Sequence, residues 1–449
     1  MQGRGSMAAE PGLAKAGNVD ARRVYAKITA RLIPYMFLLY ILAYLDRVNV
    51  GFAAMDMKRD LHLSDTVYGT GAGIFFLGSA IFDLPSNLAL MKVGARVWIA
   101  RIMITWGIIA SCMMLVRGPW SFYSLRFLLG VGEAGFFPGM ILYLTYWYPS
   151  RERARAVAKF MTATSIAGVV GALLSSLLLR LNGLGGLRGW QWLFLAEGLP
   201  TTLMGVSVLF VLRDKPADAP WLTGEEKIWL GEELAEDQKS GGAAEHHHLL
   251  DAFRLPLVWM LAAVYFVSQA AVYIVNLWMP MILASFTGAR AAGGDQASSL
   301  IARYATVPYV AAAIFTVVVG WSSDRTGDRR WHIAGCLLLS GCGFGWAALA
   351  HSLPSALCAM TLAATGVWSM MGPFWTSVTR SLGGAAAASG VALMQIIGGL
   401  GGFSGPFATG RLRDLTHGFS AGLYSIAAAA TLAAGLALRT RERTGDADS

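Results

Sequence analysis

The sequence predicts an all-helical membrane protein with twelve transmembrane helices in two pseudo-symmetric six-helix bundles. Of its 449 residues, 55% are hydrophobic and only 14% are charged. Ordinary soluble domains have about 25% charged residues, so the composition excludes a typical soluble enzyme. At about 20 residues per crossing, twelve helices fit the chain and leave room for loops.

Apolar segments and one long polar stretch give the order of the predicted helices. The segments are 31–53, 67–91, 97–116, 120–147, 156–179, 190–212, 256–286, 300–321, 331–350, 354–378, 385–410 and 416–438. They define an N-terminal bundle at 31–212 and a C-terminal bundle at 256–438, with tails at 1–30 and 439–449. The nearly equal length of the two bundles favours an internal duplication.

The stretch 213–255 is a predicted cytoplasmic linker, because its apolar residues alternate with acidic ones and are too few to span a bilayer. Thr223 and Glu226 have the spacing of a capping box, which predicts the start of a helix there. Three adjacent histidines at 246–248 are interpreted as a solvated loop. We expect no metal site and no cofactor.

The net charge of +9 follows from membrane topology and does not indicate a nucleic-acid partner. With the N-terminus inside, most Lys and Arg fall in the inner loops and tails, as the positive-inside rule requires. Residues 1–20 lack the apolar core of a signal peptide, so the first apolar segment is expected to remain as a helix. Both termini are therefore predicted to be cytoplasmic.

Four ionisable residues lie inside the apolar segments of the first bundle: Asp46, Arg47, Arg126 and Glu133. Such groups are costly in a membrane and usually serve function. Arg126 and Glu133 are seven residues apart, which places them on one helix face about 10 Å apart along the axis. The four charges cancel, so an entering carboxylate can be balanced by protonating Asp46 or Glu133. The alternative is a purely structural charge network.

The second bundle has no such charges at the corresponding positions. It offers polar and aromatic side chains that are candidates for contacting the uncharged part of a ligand: Tyr273, Asn276, Trp278, Trp368, Ser369, Trp375 and Gln395. For any single aromatic residue among them, packing or an interfacial anchor is an equally simple explanation.

The loop at 320–330 reads GWSSDRTGDRR. It resembles the inner-loop signature of the major facilitator superfamily, which implies a conformational latch formed by Gly320, Asp324, Arg325, Gly327 and Arg329. Gly320 is expected to permit close helix approach, and Gly327 a tight turn. The corresponding segment of the first half, 87–96, is degenerate.

A second resemblance covers most of the membrane portion. Its motifs are YLDRVN at 44–49, PSNL at 85–88, RFLLGVGEAGFFPG at 126–139, WYP at 147–149 and EGLP at 197–200. Together they resemble the anion:cation symporter family, particularly its tartrate, phthalate and allantoate type permeases. The resemblance implies import of a small organic anion with protons across the cell inner membrane, by alternating access.

In this interpretation Arg47, Tyr44 and Arg126 help to bind the anion, and Asp46 and Glu133 carry protons. Tyr273, Asn276, Trp368, Ser369 and Gln395 complete the binding site. The family commonly has Asn at the positions of Gln395 and Gly399, so the substrate stays open between a hydroxy-dicarboxylate and an aromatic carboxylate. Asp83 and Glu197 are membrane-embedded acids for which structural and functional roles are equally plausible.

Two other functions stay open. A proton-driven exporter would usually show a Gly-Pro motif in its fifth helix, where this chain has Gly168 and Gly171 without proline. A non-transporting anion sensor is the other alternative. An enzyme is not expected, since no nucleophile or metal cluster is visible. We expect a monomer whose partners are the anion, protons and the lipid bilayer.

Overall fold

The computed structural model describes residues 19–161, 163–240, 255–287, 295–381 and 384–440. Every regular element within these residues is helical. The α-helices are α1 Ala21–Leu61, α2 Asp65–Val93, α3 Ala95–Cys112, α4 Pro119–Glu133, α5 Phe136–Thr145, α6 Ser150–Met161, α7 Ala163–Leu178, α8 Gly189–Val211, α9 Gly224–Ser240, α10 Pro256–Ala284, α11 Asp295–Thr326, α12 Arg329–Leu349, α13 Leu353–Ser369, α14 Met371–Ser381, α15 Gly384–Thr416 and α16 Ser420–Arg439.

Within the described residues, 11 helical segments are long and apolar enough to cross a membrane. The pairs α4–α5 and α13–α14 each form one of these spans. The remaining predicted span corresponds to a shorter apolar helix at Ile166–Leu181. The predicted all-helical fold with six spans on each side of the linker is therefore confirmed.

The first helix begins earlier than predicted. It starts at Ala21, where the carboxylate of Asp20 accepts a hydrogen bond from the backbone N–H of Arg22 at 3.0 Å. The charged residues before position 31 were assigned to a tail because they interrupt the apolar pattern. They instead extend the membrane helix by about 10 residues, which is ~15 Å at the helical rise.

Two spans are broken where the sequence predicts continuous helices. The fourth span breaks at Gly135, whose φ of 83° is left-handed, and the tenth breaks at Met370 between α13 and α14. In each case a proline, Pro138 or Pro373, lies in the first turn of the following helix, where its missing N–H costs no hydrogen bond. The two halves therefore carry corresponding breaks.

The two bundles meet along three helix pairs: α2 with α15, α7 with α11, and α1 with α10. Glycines allow the closest approaches. A Cβ on Gly51 would overlap the carbonyl of Asn276, and a Cβ on Gly69 would overlap that of Pro406. At these points the backbones of opposite bundles touch with no side chain between them.

Cross-bundle polar contacts concentrate at one end of the molecule, which we call the outer end, following the predicted orientation. Asp414 Oδ1 and Oδ2 accept hydrogen bonds from the backbone N–H groups of Asp65 and Thr66 at 3.1 and 2.7 Å. Arg413 Nη1 lies 2.6 Å from Asp65 Oδ1, and Lys58 pairs with the same carboxylate. These residues form the outer gate, which is closed.

The cross-bundle hydrogen bonds from Tyr68 to the carbonyl of Leu277 and from Arg180 to Ser299 also lie in the outer half of the spans. Beyond them, Gln395 on the inner half of α15 is exposed, and the side chain of Arg47 in the middle of α1 is 22% exposed. These exposed polar side chains indicate that the space between the bundles, which we call the cavity, is accessible from the end opposite the gate.

The linker helix α9 is docked on the N-terminal bundle. It begins as predicted: Thr223 N–H donates to Glu226 Oε2 at 2.9 Å, and Glu226 N–H donates to Thr223 Oγ1 at 3.3 Å. Basic residues of α1 and α6 pair with its acidic side chains: Lys27 with Glu226, Arg151 with Glu233, and Arg153 with Asp237. The Lys27 hydrogen bond holds the pKa of Glu226 below its usual value.

Candidate functional site

An ion pair joins the first and fourth spans beside the cavity. Arg47 Nη2 of α1 contacts Glu133 Oε1 of α4, and the glutamate side chain is 1% exposed. Tyr40 and Tyr273 also lie beside Arg47. The side chain of Arg47 is nevertheless partly exposed. It is thus a partly solvated cation to which an anion can bind.

The position of Glu133 depends on the break in the fourth span. Glu133 is the last residue of α4, and the N–H of Gly135 just beyond it donates to Asp83 Oδ1 at 2.8 Å. Ser86 Oγ donates to the carbonyl of Ala134 at 2.6 Å. Asp83 therefore satisfies a backbone group that the break would otherwise leave without a partner, which favours a structural role for this acid.

Asp46 lies on a different face of α1 from Arg47. It contacts α8 and not Glu133. Asn49 Nδ2 donates to Asp46 Oδ1 at 3.3 Å and to Glu197 Oε2 at 2.9 Å. Thr201 Oγ1 lies 3.4 Å from Asp46 Oδ2 and 3.0 Å from the carbonyl of Glu197. Both acids are 2% exposed. Asp46 and Arg47, although adjacent in sequence, therefore contact different helices.

Arg126 lies apart from the ion pair. It is 1% exposed, and its Nε and Nη2 donate to the carbonyls of Gly71 and Ala72 at 3.3 and 2.9 Å. Its guanidinium is 4.9 Å from the ring centroid of Phe75. Arg126 makes no ion pair with any residue of the described ranges, so the four buried charges do not form the single network that their cancelling charges suggested. Its contacts hold α2 against α4.

A second polar group spans the two bundles on the outer side of the cavity. Asn276 Nδ2 donates to the hydroxyl of Tyr44 at 3.5 Å, and Tyr309 donates to Asn276 Oδ1 at 2.9 Å. Trp368 packs edge-on against Tyr309 with centroids 5.6 Å apart. Ser369 is buried next to Trp368, and its hydroxyl has no hydrogen-bond partner among the described residues.

The remaining predicted residues line other parts of the C-terminal bundle. Tyr273 packs against Phe76 across the bundle boundary, with ring centroids 3.9 Å apart. Gln395 Oε1 accepts a hydrogen bond from the hydroxyl of Tyr265 at 2.9 Å. Tyr265 in turn stacks on Phe374 at 5.4 Å. The structure thus groups the predicted residues around Arg47, around Asn276 and around Gln395.

The predicted latch lies at the inner end of α11 and the start of α12. Gly327 has the left-handed φ of 72° that its turn requires, and Asp324 pairs with the buried Arg329 at 3.6 Å. Arg325 lies over Trp321 at 5.4 Å. Gly320, however, has no atom within 4 Å of a Cβ built on it, so the expected close helix approach is wrong for this conformation. The latch function of these residues stays a prediction.

Sequence reasoning missed Asn49, Thr201, Tyr265 and Tyr309 as site residues. Asn49 follows Asp46 by three positions, so helical spacing alone would have placed both on one face. Tyr309 and Tyr265 lie in apolar segments without a distinguishing pattern. Histidines 246–248 lie outside the described residues. Within the described ranges, no three His, Cys, Asp or Glu side chains are grouped as metal ligands.

Comparison with known proteins places the chain in one family. Residues 36–406 match the model of the Major Facilitator Superfamily. A "Putative tartrate transporter" of Agrobacterium vitis is 46% identical, covering 93% of this chain and 91% of the relative. A "Quinolone resistance transporter" of Acinetobacter baumannii is 40% identical, covering 89% and 91%.

Solved structures share the fold at low identity. The inward open conformation of the xylose transporter XylE from E. coli has a TM-score of 0.75 at 14% identity, covering 94% of this chain and 98% of that one. An inward-facing bacterial homolog of the lysosomal transporter Spinster has a TM-score of 0.72 at 20% identity, covering 93% and 97%. From the family match over most of its length, the chain belongs to the Major Facilitator Superfamily of multi-pass membrane transporters.

Proposed function

We propose that the protein is a proton-coupled symporter that takes up a small organic anion by alternating access. One observation carries the proposal: a partly exposed arginine, Arg47, is paired with a buried acid, Glu133, at the centre of an otherwise apolar membrane domain. A cation and an acid placed this way allow anion binding and proton binding to depend on each other.

The coupling follows from competition for Arg47. A carboxylate that enters the cavity binds the guanidinium and displaces Glu133 from it. An ionised glutamate without its cation is costly at 1% exposure in a membrane, so Glu133 takes up a proton. Release of the anion restores the ion pair and frees the proton. Asp46, which contacts Asn49 and Thr201 on another face of α1 and forms no ion pair with Arg47, carries a second proton.

A hydroxy-dicarboxylate fits the site best. Arg47 recognises one carboxylate, and the hydrogen-bonding group of Tyr44, Asn276 and Tyr309 offers donors and acceptors for hydroxyls. The relatives named as putative tartrate transporters, 46% and 45% identical, support this class. An aromatic carboxylate is the second candidate, supported by the Phe76–Tyr273 ring contact beside Arg47.

Uptake into proteoliposomes tests the proposal. Labelled tartrate, malate and benzoate are offered under an inward proton gradient, and uptake is compared with exchange, in which labelled substrate enters against unlabelled substrate inside. The native chain is expected to show gradient-driven uptake. Arg47→Ala should abolish both activities. Glu133→Gln should strongly reduce gradient-driven uptake, because one of the two coupled protons is lost, while exchange persists.

The matched control is Glu152→Gln, which removes a carboxylate that pairs with Arg155 on the surface of α6. It should behave as the native chain. Gradient-driven uptake at the native level in Glu133→Gln would contradict the assigned role of this residue. No gradient dependence of any substrate in the native chain would contradict symport itself.

A proton-driven exporter is the second candidate function. The 40% identical relative named for quinolone resistance favours it, whereas the absence of proline from the fifth span, 163–178, weighs against it. In the same liposomes an exporter extrudes substrate against the imposed gradient. Tight binding without flux would indicate a sensor.

We further propose an inner-membrane protein with both termini in the cytoplasm, working as a monomer. The positive-inside distribution of Lys and Arg supports this orientation. It places the closed gate outside, so the structure corresponds to the state that releases substrate into the cell. In the same scheme the loop from Gly320 to Arg329 latches the inner face when the transporter reverses.

A further inference from the structure

One deeply buried acid has no task in the proposed cycle. Glu197 of α8 is 2% exposed, and its Oε1 has no hydrogen-bond partner among the described residues. Its Oε2 accepts from Asn49 Nδ2 at 2.9 Å, and the same nitrogen donates to Asp46 Oδ1 at 3.3 Å. A single amide thus joins two buried carboxyl groups from neighbouring helices.

The positive charges near the two acids do not compensate their negative charge. The polar and charged groups near this pair are Arg47 and Asn49 of α1, Trp106 of α3, Arg126 and Glu133 of α4, and Thr201 of α8. Of the two cations, Arg47 pairs with Glu133, and Arg126 donates to carbonyls of α2. Neither forms an ion pair with Asp46 or Glu197.

Resting on the proposed proton-coupled symport, we infer that Asp46 and Glu197 form one carboxyl pair that shares a single transported proton, with Asn49 as its bridge. Two ionised carboxylates around one amide in the membrane interior repel each other and lack water, so the pair holds one proton. It titrates as a unit. The proton enters from the outside solution and leaves to cytoplasmic water, which takes the pair from one negative charge to two.

The hydrogen bond that the Thr201 hydroxyl donates depends on which group holds that proton. This hydroxyl has one hydrogen and two acceptors within reach: Asp46 Oδ2 at 3.4 Å and the carbonyl of Glu197 at 3.0 Å. When Asp46 is ionised, the hydroxyl donates to it. When Asp46 holds the proton, the hydroxyl turns back to the carbonyl of its own helix. Thr201 is therefore a positioning residue for the pair.

The test compares Glu197→Gln with the native chain in the proteoliposome assay, across a series of external pH values. Gln keeps the shape of the side chain but removes the second acid. Asp46 then no longer has a neighbouring negative charge, so the pH of half-maximal uptake should move about one unit lower, a tenfold change in proton concentration. Exchange should persist. The control is Glu152→Gln on the surface of α6, which should leave the profile in place.

An unchanged pH profile in Glu197→Gln would overturn the inference, since a permanently neutral acid has the same effect as an amide. If the variant loses exchange as well, infrared difference spectra of purified protein decide whether the two carboxyl groups titrate as a pair. Loss of the Glu197 carboxyl signal with a shifted titration of a second carboxyl supports the pair, and loss of one signal alone overturns it. A native chain without gradient-driven uptake instead defeats the proposed symport.

Discussion

Neutralising Asp414 should open the outer gate. Its two carboxylate oxygens accept from the backbone N–H groups of Asp65 and Thr66 at 3.1 and 2.7 Å, across the boundary between the bundles. These N–H groups form the N-terminus of α2, where the helix dipole also favours a negative charge. All of these interactions break when the bundles separate at the outer end, so they stabilise only the closed gate.

The size of the effect follows from these contacts. In Asp414→Asn, the amide oxygen still accepts one hydrogen bond, but the amide nitrogen faces the other N–H group and cannot accept. Losing one hydrogen bond to a charged group costs about 1.5–3 kcal/mol, and the helix-dipole interaction adds about 0.5 kcal/mol. A total of about 2–3.5 kcal/mol shifts the ratio of outward-open to inward-open molecules at least about 30-fold.

Distances between spin labels measure this ratio. The labels replace Leu184 and His351, which lie in outer loops of opposite bundles and are exposed. The four native cysteines are removed first. The variant should gain a long-distance population that is minor in the parent. The control Glu152→Gln alters an ion pair within one helix and should leave the distribution unchanged.

An unchanged distance distribution in Asp414→Asn would refute the assignment of this contact as a gate. A shift toward shorter distances would refute it more strongly, since it would mean that the carboxylate favours the open state.

Two further predictions concern stability. Gly135→Ala places a side chain at a φ of 83° and against Ser86 Oγ, which should cost at least about 1–2 kcal/mol and lower the thermal unfolding midpoint. The control Gly435→Ala adds a methyl group in open space and should not lower the midpoint. Equal midpoints for the two variants would contradict this explanation. Because Lys27 lowers the pKa of Glu226, its stabilisation is present at neutral pH and lost as the pH falls below about 4.3. The protection of α9 against hydrogen exchange, measured relative to the intrinsic exchange rate at each pH, should therefore fall in acid. Glu226→Gln should weaken this dependence on pH.

The fold was predictable because its signals are local. Hydropathy located the spans, and the capping box of Thr223 and Glu226 located the start of α9. The breaks at Gly135 and Met370 were not predictable in the same way. A glycine within an apolar run is compatible with a continuous membrane helix, and only its φ of 83° distinguishes the break.

The site was predictable as a set of residues but not as a set of contacts. The cost of charge in a membrane singled out Arg47, Glu133 and Arg126. This cost did not predict that Arg126 donates to carbonyls of α2 while Arg47 forms the ion pair with Glu133. Which arginine pairs with the glutamate depends on how three helices pack. The bridge of Asn49 to Glu197 joins residues 148 positions apart, which local pattern cannot reveal.

The glycine contacts between the bundles have an electrical consequence. At Gly51 and Gly69 the backbones leave no space for a side chain, and therefore none for water or ions, while the other end of the cavity is open. The membrane voltage then falls mainly across this thin region of backbone contact at the outer end. The free energy of each elementary charge carried through this region changes by about 2.3 kcal/mol per 100 mV. A dicarboxylate with two negative charges crosses with two protons without responding to voltage, whereas any proton beyond the charge of the anion makes accumulation depend on the membrane potential.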